Sequence, residues 1–202
     1  MMRKIRTIML LSFFFLFSEN CQAEYKISIV ATINNRVITN IDIEDEVRLI
    51  NILDNNSNTN VKNIEKLALD RLVDEIAKEE EIKKVGVSEN KEIINNHYTK
   101  YLKDYSSRNK TNPLSDKNKK KIYQRIENGY NWNFLISQIY SWKLAVNINE
   151  IDKKINAQNL NQDQIKKIKE KIINEEKNKK LNVYSGYHLK KLKENYLIRY
   201  LK

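Results

Sequence analysis

Beyond an apolar opening block, the chain passes from a short β-branched stretch into long stripes of apolar residues at three- and four-residue spacing. Residues 26–33 (KISIVATI) carry β-branched side chains at Ile27, Ile29, Val30, Thr32 and Ile33, a pattern that predicts a strand. Asn34-Asn35 tolerate positive φ at modest cost, so a tight turn into Val37-Ile38-Thr39 is expected. Thr39 or Asn40 then caps a helix whose first turns hold Asp42, Glu44, Asp45 and Glu46, carboxylates that meet the positive end of the helix dipole. Ile41, Val47, Leu49, Ile50 and Leu53 supply its apolar stripe.

Residues 55–60 (NNSNTN) are a polar break, after which Ile64, Leu67, Ala68, Leu72, Ile76 and Ala77 mark one face of a helix over 63–84. Val85-Gly86-Val87-Ser88 ends that helix with a glycine and opens the next with a serine cap. The third helix, 88–105, carries Ile94, Tyr98, Tyr101 and Tyr105; residues 106–114 hold the only proline and read as a loop. From Ser115-Asp116 a stripe of Ile122, Ile126, Trp132, Leu135, Ile136, Ile139 and Trp142 runs on, with Gly129 expected to divide it into two helices. Asn149 is the expected cap of a short helix to about 159. Residues 163–202 read as one long helix and a terminal helix, separated near 183–186.

Composition narrows the fold class. With three glycines and one proline in 202 residues, turn-rich β architectures are disfavoured and a mainly α fold is expected. Residues 1–23 stand apart: Arg3, Lys4 and Arg6 precede an apolar run (IMLLSFFFLF, 8–17), and Cys21-Gln22-Ala23 ends in the small residue a signal peptidase prefers. The expectation is a signal peptide cleaved after Ala23, with an uncleaved anchor as the alternative; the run is too short for the roughly 20 residues of a membrane-spanning helix. Removing 1–23 lowers the net charge of +11 by two and takes away the only cysteine. An exported chain without cysteine forms no disulfide and binds no metal through thiolate. His97 and His188 lie far apart, with no HxxxH or HExxH spacing, so no metal site is assigned.

Three stretches together resemble a known family. VATINNRVITNIDIEDEV (30–47), LALDRLVDEIAKEEEIKKVGVSENKEI (67–93) and YNWNFLISQIYSWKLAVNINEIDKKI (130–155) are similar, in that order, to the N-terminal region of SurA-type periplasmic chaperones. The likeness lies in a hairpin leading into a helix near Asp42, a helix ending in a G-[IV]-x-[VI]-[ST] turn, and a W-x-x-L-I segment followed by V-x-[VI]-[ST]-x-x-[ED]-[IV]. Asn149 replaces the Ser or Thr usual in the last motif. The resemblance implies a helical chaperone core with a short N-terminal β-hairpin, residues 24–159, completed by a C-terminal helical segment, 160–202, that packs back on it. In that family parvulin-type isomerase domains follow the V-x-[VI]-S motif; here only residues 160–202 remain, without the Gly-Gly, His and Phe pattern of a parvulin sheet.

The implied function is ATP-independent holding of unfolded polypeptide clients, outer-membrane β-barrel proteins above all, in the periplasm. No catalytic residue, cofactor or metal is assigned: Asp42, Asp45 and Glu46 read as helix-start carboxylates, and no nucleophile arrangement or phosphate-binding glycine loop is present in the sequence. Candidate client-binding residues are the tyrosines. Tyr98, Tyr101 and Tyr105 recur at helical spacing and either line a groove or fill a core; Tyr184, Tyr187, Tyr196 and Tyr200 sit beside Lys190, Lys191 and Lys193 and are expected to be partly exposed. Nucleic acid is not expected as a partner under this reading. The alternative is an exported basic module binding polyanions, acidic lipid, lipopolysaccharide or nucleic acid, through Lys117 to Lys121 and the lysines from Lys166 to Lys180.

Overall fold

The structure is a computed structural model that describes residues 26–54, 61–87, 90–109, 113–156 and 162–201. The expected signal peptide and the cap at Ser88 lie outside the described residues. The hairpin forms where the β-branched pattern places it, as β1 (Ile29–Ile33) and β2 (Arg36–Thr39), paired antiparallel. A bulge between Ile29 and Ala31 leaves Ala31, Ile33 and Ile38 pointing into the core, while Val37 stays exposed. The residues after the last helix form a strand, β3 (Ile198–Tyr200), that pairs antiparallel with β1. The sheet order is β2-β1-β3, so the hairpin's partner lies in the last residues of the chain.

Asn34 holds this clasp. It is the turn residue with positive φ, 49°, which Asn tolerates better than most side chains. Its backbone N–H donates to the Leu197 carbonyl at 3.0 Å, and its Oδ1 accepts from Leu197 N–H at 3.1 Å. Its Nδ2 donates to Glu80 Oε2, also at 3.1 Å. The turn of the hairpin is thereby tied to both the C-terminal tail and the second helix.

The helices follow from caps and stripes. Helix α1 (Asn40–Asp54) starts with a reciprocal capping box: Thr39 Oγ1 accepts from Asp42 N–H at 3.3 Å, and Asp42 Oδ2 accepts from Thr39 N–H at 2.8 Å. Helix α2 (Val61–Val85) ends at Gly86, whose φ of 71° permits bonds from Gly86 N–H to the Lys83 carbonyl and from Val87 N–H to the Ile82 carbonyl. Helix α3 (Lys91–Arg108) begins three residues later than expected and is capped by Asn90, whose side chain accepts from Ile93 N–H. Helix α4 (Asp116–Ile139) is capped by Ser115, and a 3₁₀ turn (Ser141–Lys143) follows. Helix α5 (Ile148–Asn156) starts one residue before Asn149, so the position ahead of the helix belongs to Asn147, whose carbonyl accepts from Ile151 N–H. Helix α6 (Gln162–Glu194) runs 33 residues, about 50 Å.

Four expectations need correction. Gly129 does not divide α4, and Gly186 does not divide α6. A glycine inside a helix costs about 1 kcal/mol relative to alanine, and here each is flanked by residues that bury more than that: Trp132, Leu135 and Ile136 after Gly129, Tyr184 and Leu189 around Gly186. The terminal segment is a strand, not a second helix, because Ile198, Arg199 and Tyr200 find an open edge of β1. Leu67 leaves the predicted stripe of α2 for solvent, and Val73 takes a place in the core.

Ala31, Ile33 and Ile38 of the sheet pack on Val73, Ile76 and Ala77 of α2, with Leu189, Leu192, Tyr196 and Ile198 closing the cluster from the C-terminal side. The long helix thus returns to the N-terminal hairpin through shared burial as well as strand pairing. A second cluster joins α1, α3 and α4 through Leu49, Tyr105, Leu114 and Ile122. A third docks α6 on α4 through Trp132, Leu135 and Ile136. Ile151 and Ile155 of α5 are buried, and α5 packs against α6.

Candidate functional site

The junction of α4, the 3₁₀ turn and α6 gathers most of the aromatic chemistry outside the α3 core. Trp132, 2% exposed, donates its indole N–H to Ser185 Oγ at 2.7 Å, which fixes the register of α6 on α4. Beside it, the Tyr140 and Tyr184 rings stack at 5.0 Å with an 18° interplanar angle. The Tyr140 hydroxyl lies 3.1 Å from His188 Nδ1, and the His188 ring tilts against Trp132. Burial, with help from the Lys191 charge, holds the His188 imidazole below its ordinary 6.5 despite the opposing pull of Glu81. Burial also raises the Tyr140 hydroxyl, and the neighbouring Tyr187 and Tyr184 add to that rise.

Outward from this stack the surface turns apolar and open. Trp142 is 73% exposed, Val183 67% and Tyr187 56%. Val183 and Tyr187, four residues apart, share one face of α6. Lys143 extends its ammonium between the rings, 4.8 Å from the Trp142 centroid and 5.3 Å from that of Tyr184. Trp132 is buried and Tyr184 half-buried, as expected of a structural Trp and a partly exposed Tyr, whereas Trp142, Val183 and Tyr187 are more than half exposed.

The seven tyrosines singled out from the sequence separate into groups. Tyr105 is 7% exposed and stacks on Tyr101 at 6.3 Å inside the α1–α3–α4 cluster; Tyr98 meets Tyr123 edge-on at 5.2 Å. Burial raises the Tyr101 hydroxyl above its ordinary value. These three hold α3 against α4. Tyr196 lies under the clasp, where burial and then the charges of Glu80 and Glu81 push its hydroxyl up to about 12, and it donates to Glu80 as a neutral phenol. Tyr184 is half-buried in the stack. Tyr187 and Tyr200 are the two that face solvent, Tyr200 on β3 and therefore at the other end of the molecule's C-terminal segment. Trp142, the most exposed aromatic of this surface, is with Ile139 a residue of the predicted α4 stripe that stands exposed: it continues the stripe by spacing, but α4 ends at Ile139 and the indole of the 3₁₀ turn lies in solvent.

The basic stretch from Lys117 to Lys121 is largely committed to internal pairing. Asp45, nearly buried, accepts from Lys117 at 2.8 Å and Lys121 at 2.7 Å, with Arg48 at 3.0 Å. Burial alone raises a carboxyl, but here hydrogen bonds from the two lysines and their charges outweigh it and hold Asp45 below the ordinary carboxylate value. Arg125 reaches buried Glu46 at 2.8 Å, and Glu75 accepts from Asn128 at 2.6 Å. The acidic start of α1 is the counter-charge that ties α1 to α4.

Other concave surface is mixed: between α1 and α2 a hollow of about 270 Å³ is lined by Ile43, Val47 and Ile64 with Glu44, Arg48 and Glu65 at its rim. A groove of about 470 Å³ between α2 and α4 is lined by Arg36, Glu79, Lys83, Gln124, Glu127 and two asparagines, with Ile82 its only apolar wall. Among the described residues no group of three or more His, Cys, Asp or Glu is placed to hold a metal ion, and no helix is long and apolar enough to cross a membrane. No family model matches the chain, and no curated protein matches it.

Proposed function

We propose that the protein is an ATP-independent holding chaperone of the periplasm, which shields apolar segments of unfolded outer-membrane or secreted chains and carries no isomerase centre of its own. The single observation that carries this reading is the open apolar face of α6 and the 3₁₀ turn, Trp142, Val183 and Tyr187, set beside a rigid aromatic stack. The sequence supports it independently, through the three ordered stretches similar to SurA-type chaperones and the exported-protein pattern of residues 1–23.

The physics of holding fits such a surface. A client that unfolds presents apolar segments in no fixed shape, so a shallow face with large rings serves better than a deep pocket. Roughly 300 Å² of apolar area at about 25 cal/mol per Å² gives on the order of 7 kcal/mol before costs. Association entropy of at least ~4 kcal/mol removes most of it. The net is weak, rapidly reversible capture, which shields a client without trapping it. The clasp contributes stability: with β1 and β3 paired in one sheet, α6 presents its face from a fixed scaffold.

The reading is tested by aggregation of an unfolded β-barrel protein at physiological salt. The mature chain is expected to suppress light scattering at a stoichiometric ratio, and absence of suppression in molar excess would sink the proposal. Isomerisation of a proline peptide is expected to stay at the uncatalysed rate. Salt-sensitive binding to anionic vesicles or DNA, without any effect on aggregation, would favour the polyanion alternative.

A further inference from the structure

The open face of α6 has a charge pattern as well as an apolar one. Taking Tyr187 as its centre, Val183 lies one turn before it and Lys180 two turns before; Lys190 and Lys191 lie one turn after. Lys180 reaches across to the Ala145 carbonyl, which places it beside the segment that follows Trp142. Lys143 adds a fourth cation, among the rings. The nearest carboxylate on the N-terminal side, Glu176, is held by Lys179 at 3.2 Å. Lys193, by contrast, turns to the opposite side of the helix and pairs with Asp74 of α2. Lysines therefore stand at both ends of the apolar centre, with exposed Glu194 one turn beyond Lys190 as the one carboxylate on that face past Tyr187.

We propose that this surface selects apolar client segments bracketed by carboxylates, an inference that rests on the chaperone reading and names the class of segment it prefers. The dimensions set the pattern. Lys180 and Lys190 are ten residues apart, about 15 Å along the helix at 1.5 Å per residue. An extended chain rises about 3.3 Å per residue, so four to five residues span that distance. A segment with one or two aromatic residues in the middle and Asp or Glu at both ends meets Trp142 and Tyr187 with its rings and the lysines with its acids. A segment with basic ends meets like charge at the same three places. Each exposed pair contributes little, and salt screens it, so the expected discrimination is roughly tenfold at low ionic strength and shrinks towards none at high salt.

The test is calorimetric titration of the mature chain with three peptides sharing a Phe-Tyr-Phe centre and flanked on each side by two Glu, two Gln or two Lys. Affinity is expected to fall in that order, with roughly tenfold between the first and last at low salt. Lys190→Gln combined with Lys191→Gln is expected to flatten the order while leaving circular dichroism and melting temperature unchanged, since both side chains project into solvent. Trp142→Ala is expected to weaken all three peptides alike. Equal affinities for the Glu and Gln peptides, tighter binding of the Lys peptide, or no peptide binding beside strong binding to anionic phospholipid vesicles would each overturn the inference. Aggregation suppression separates the two claims: suppression without peptide order removes only the charge selectivity, whereas selective binding of the Glu peptide without suppression removes the chaperone reading and leaves the selectivity standing.

Discussion

Two sets of tyrosines recur at helical spacing in this chain, and the fold uses them in opposite ways. Tyr98, Tyr101 and Tyr105 on α3 are covered by α1 and α4 and act as core. Tyr184 and Tyr187 on α6 stand at the margin of the packing, one half inside the aromatic stack and the other in solvent. Spacing is the same in both, so the difference comes from what lies opposite. Helix α3 faces Leu49, Leu114 and Ile122, an apolar partner surface, whereas α6 turns Ser185 and His188 to Trp132 and Tyr140 and leaves Tyr187 on its exposed side. An aromatic becomes surface where it falls on the face its partner helix does not cover.

The comparison predicts the largest loss at the covered set. Tyr105→Ala is expected to cost about 3 kcal/mol in urea unfolding, as deleting a buried aromatic side chain leaves a cavity. A cost under ~0.5 kcal/mol, the level of surface substitutions, would erase the distinction between the two sets. Next comes the clasp that gives α6 its fixed course. Asn34→Ala leaves the left-handed backbone without a residue that favours it and removes the side-chain links to the Leu197 N–H and to Glu80, an expected loss of about 2 kcal/mol. Amide exchange should quicken selectively at Leu201, whose N–H donates to the Val30 carbonyl. Unchanged exchange there would show that the sheet closes without the turn residue.

A smaller effect follows from His188, which sits where the buried and open parts of α6 meet. Its neighbours are Trp132 on α4, Tyr140 at the end of that helix, Glu81 on α2 and Lys191 on its own helix. Because its folded value is depressed below 6.5, the unfolded chain binds the proton first; the stabilisation is full above about pH 6.5 and declines as pH falls from there towards the folded value. Acidification is therefore expected to loosen the α6 dock, seen as a fall in melting temperature that His188→Gln abolishes. An identical acid slope in that variant would assign the effect to other groups. Smallest of all, Tyr187→Ala is expected to alter stability by less than ~0.5 kcal/mol.

Much of this architecture was legible in the residues. The β-branched run, the paired asparagines and the Thr39–Asp42 spacing specify the hairpin and its helix entry, and Gly86 marks the end of α2. Local rules failed where tertiary contact decides. Gly129 and Gly186 look like breaks in isolation, but the burial of Trp132 and the residues around it carries each helix through. Ile198 to Tyr200 becomes a strand because β1 offers an edge, a fact no window of the tail contains. The basic run after Ser115 reads as a solvent-facing patch until Asp45 is found opposite it. Trp142 carried the right spacing for a core residue and the wrong address, three residues beyond the end of its helix. Of the seven tyrosines, only the structure separates the exposed pair, Tyr187 and Tyr200, from those that hold helices together.

The claim that the open end of α6 holds clients is tested most directly by aggregation suppression with the paired variant Trp142→Ser, Tyr187→Ser. Both side chains are exposed, so the protein is expected to keep its melting temperature while losing most of its suppression of an unfolded β-barrel client. Full suppression by this variant would contradict the account and place client contact elsewhere on the molecule.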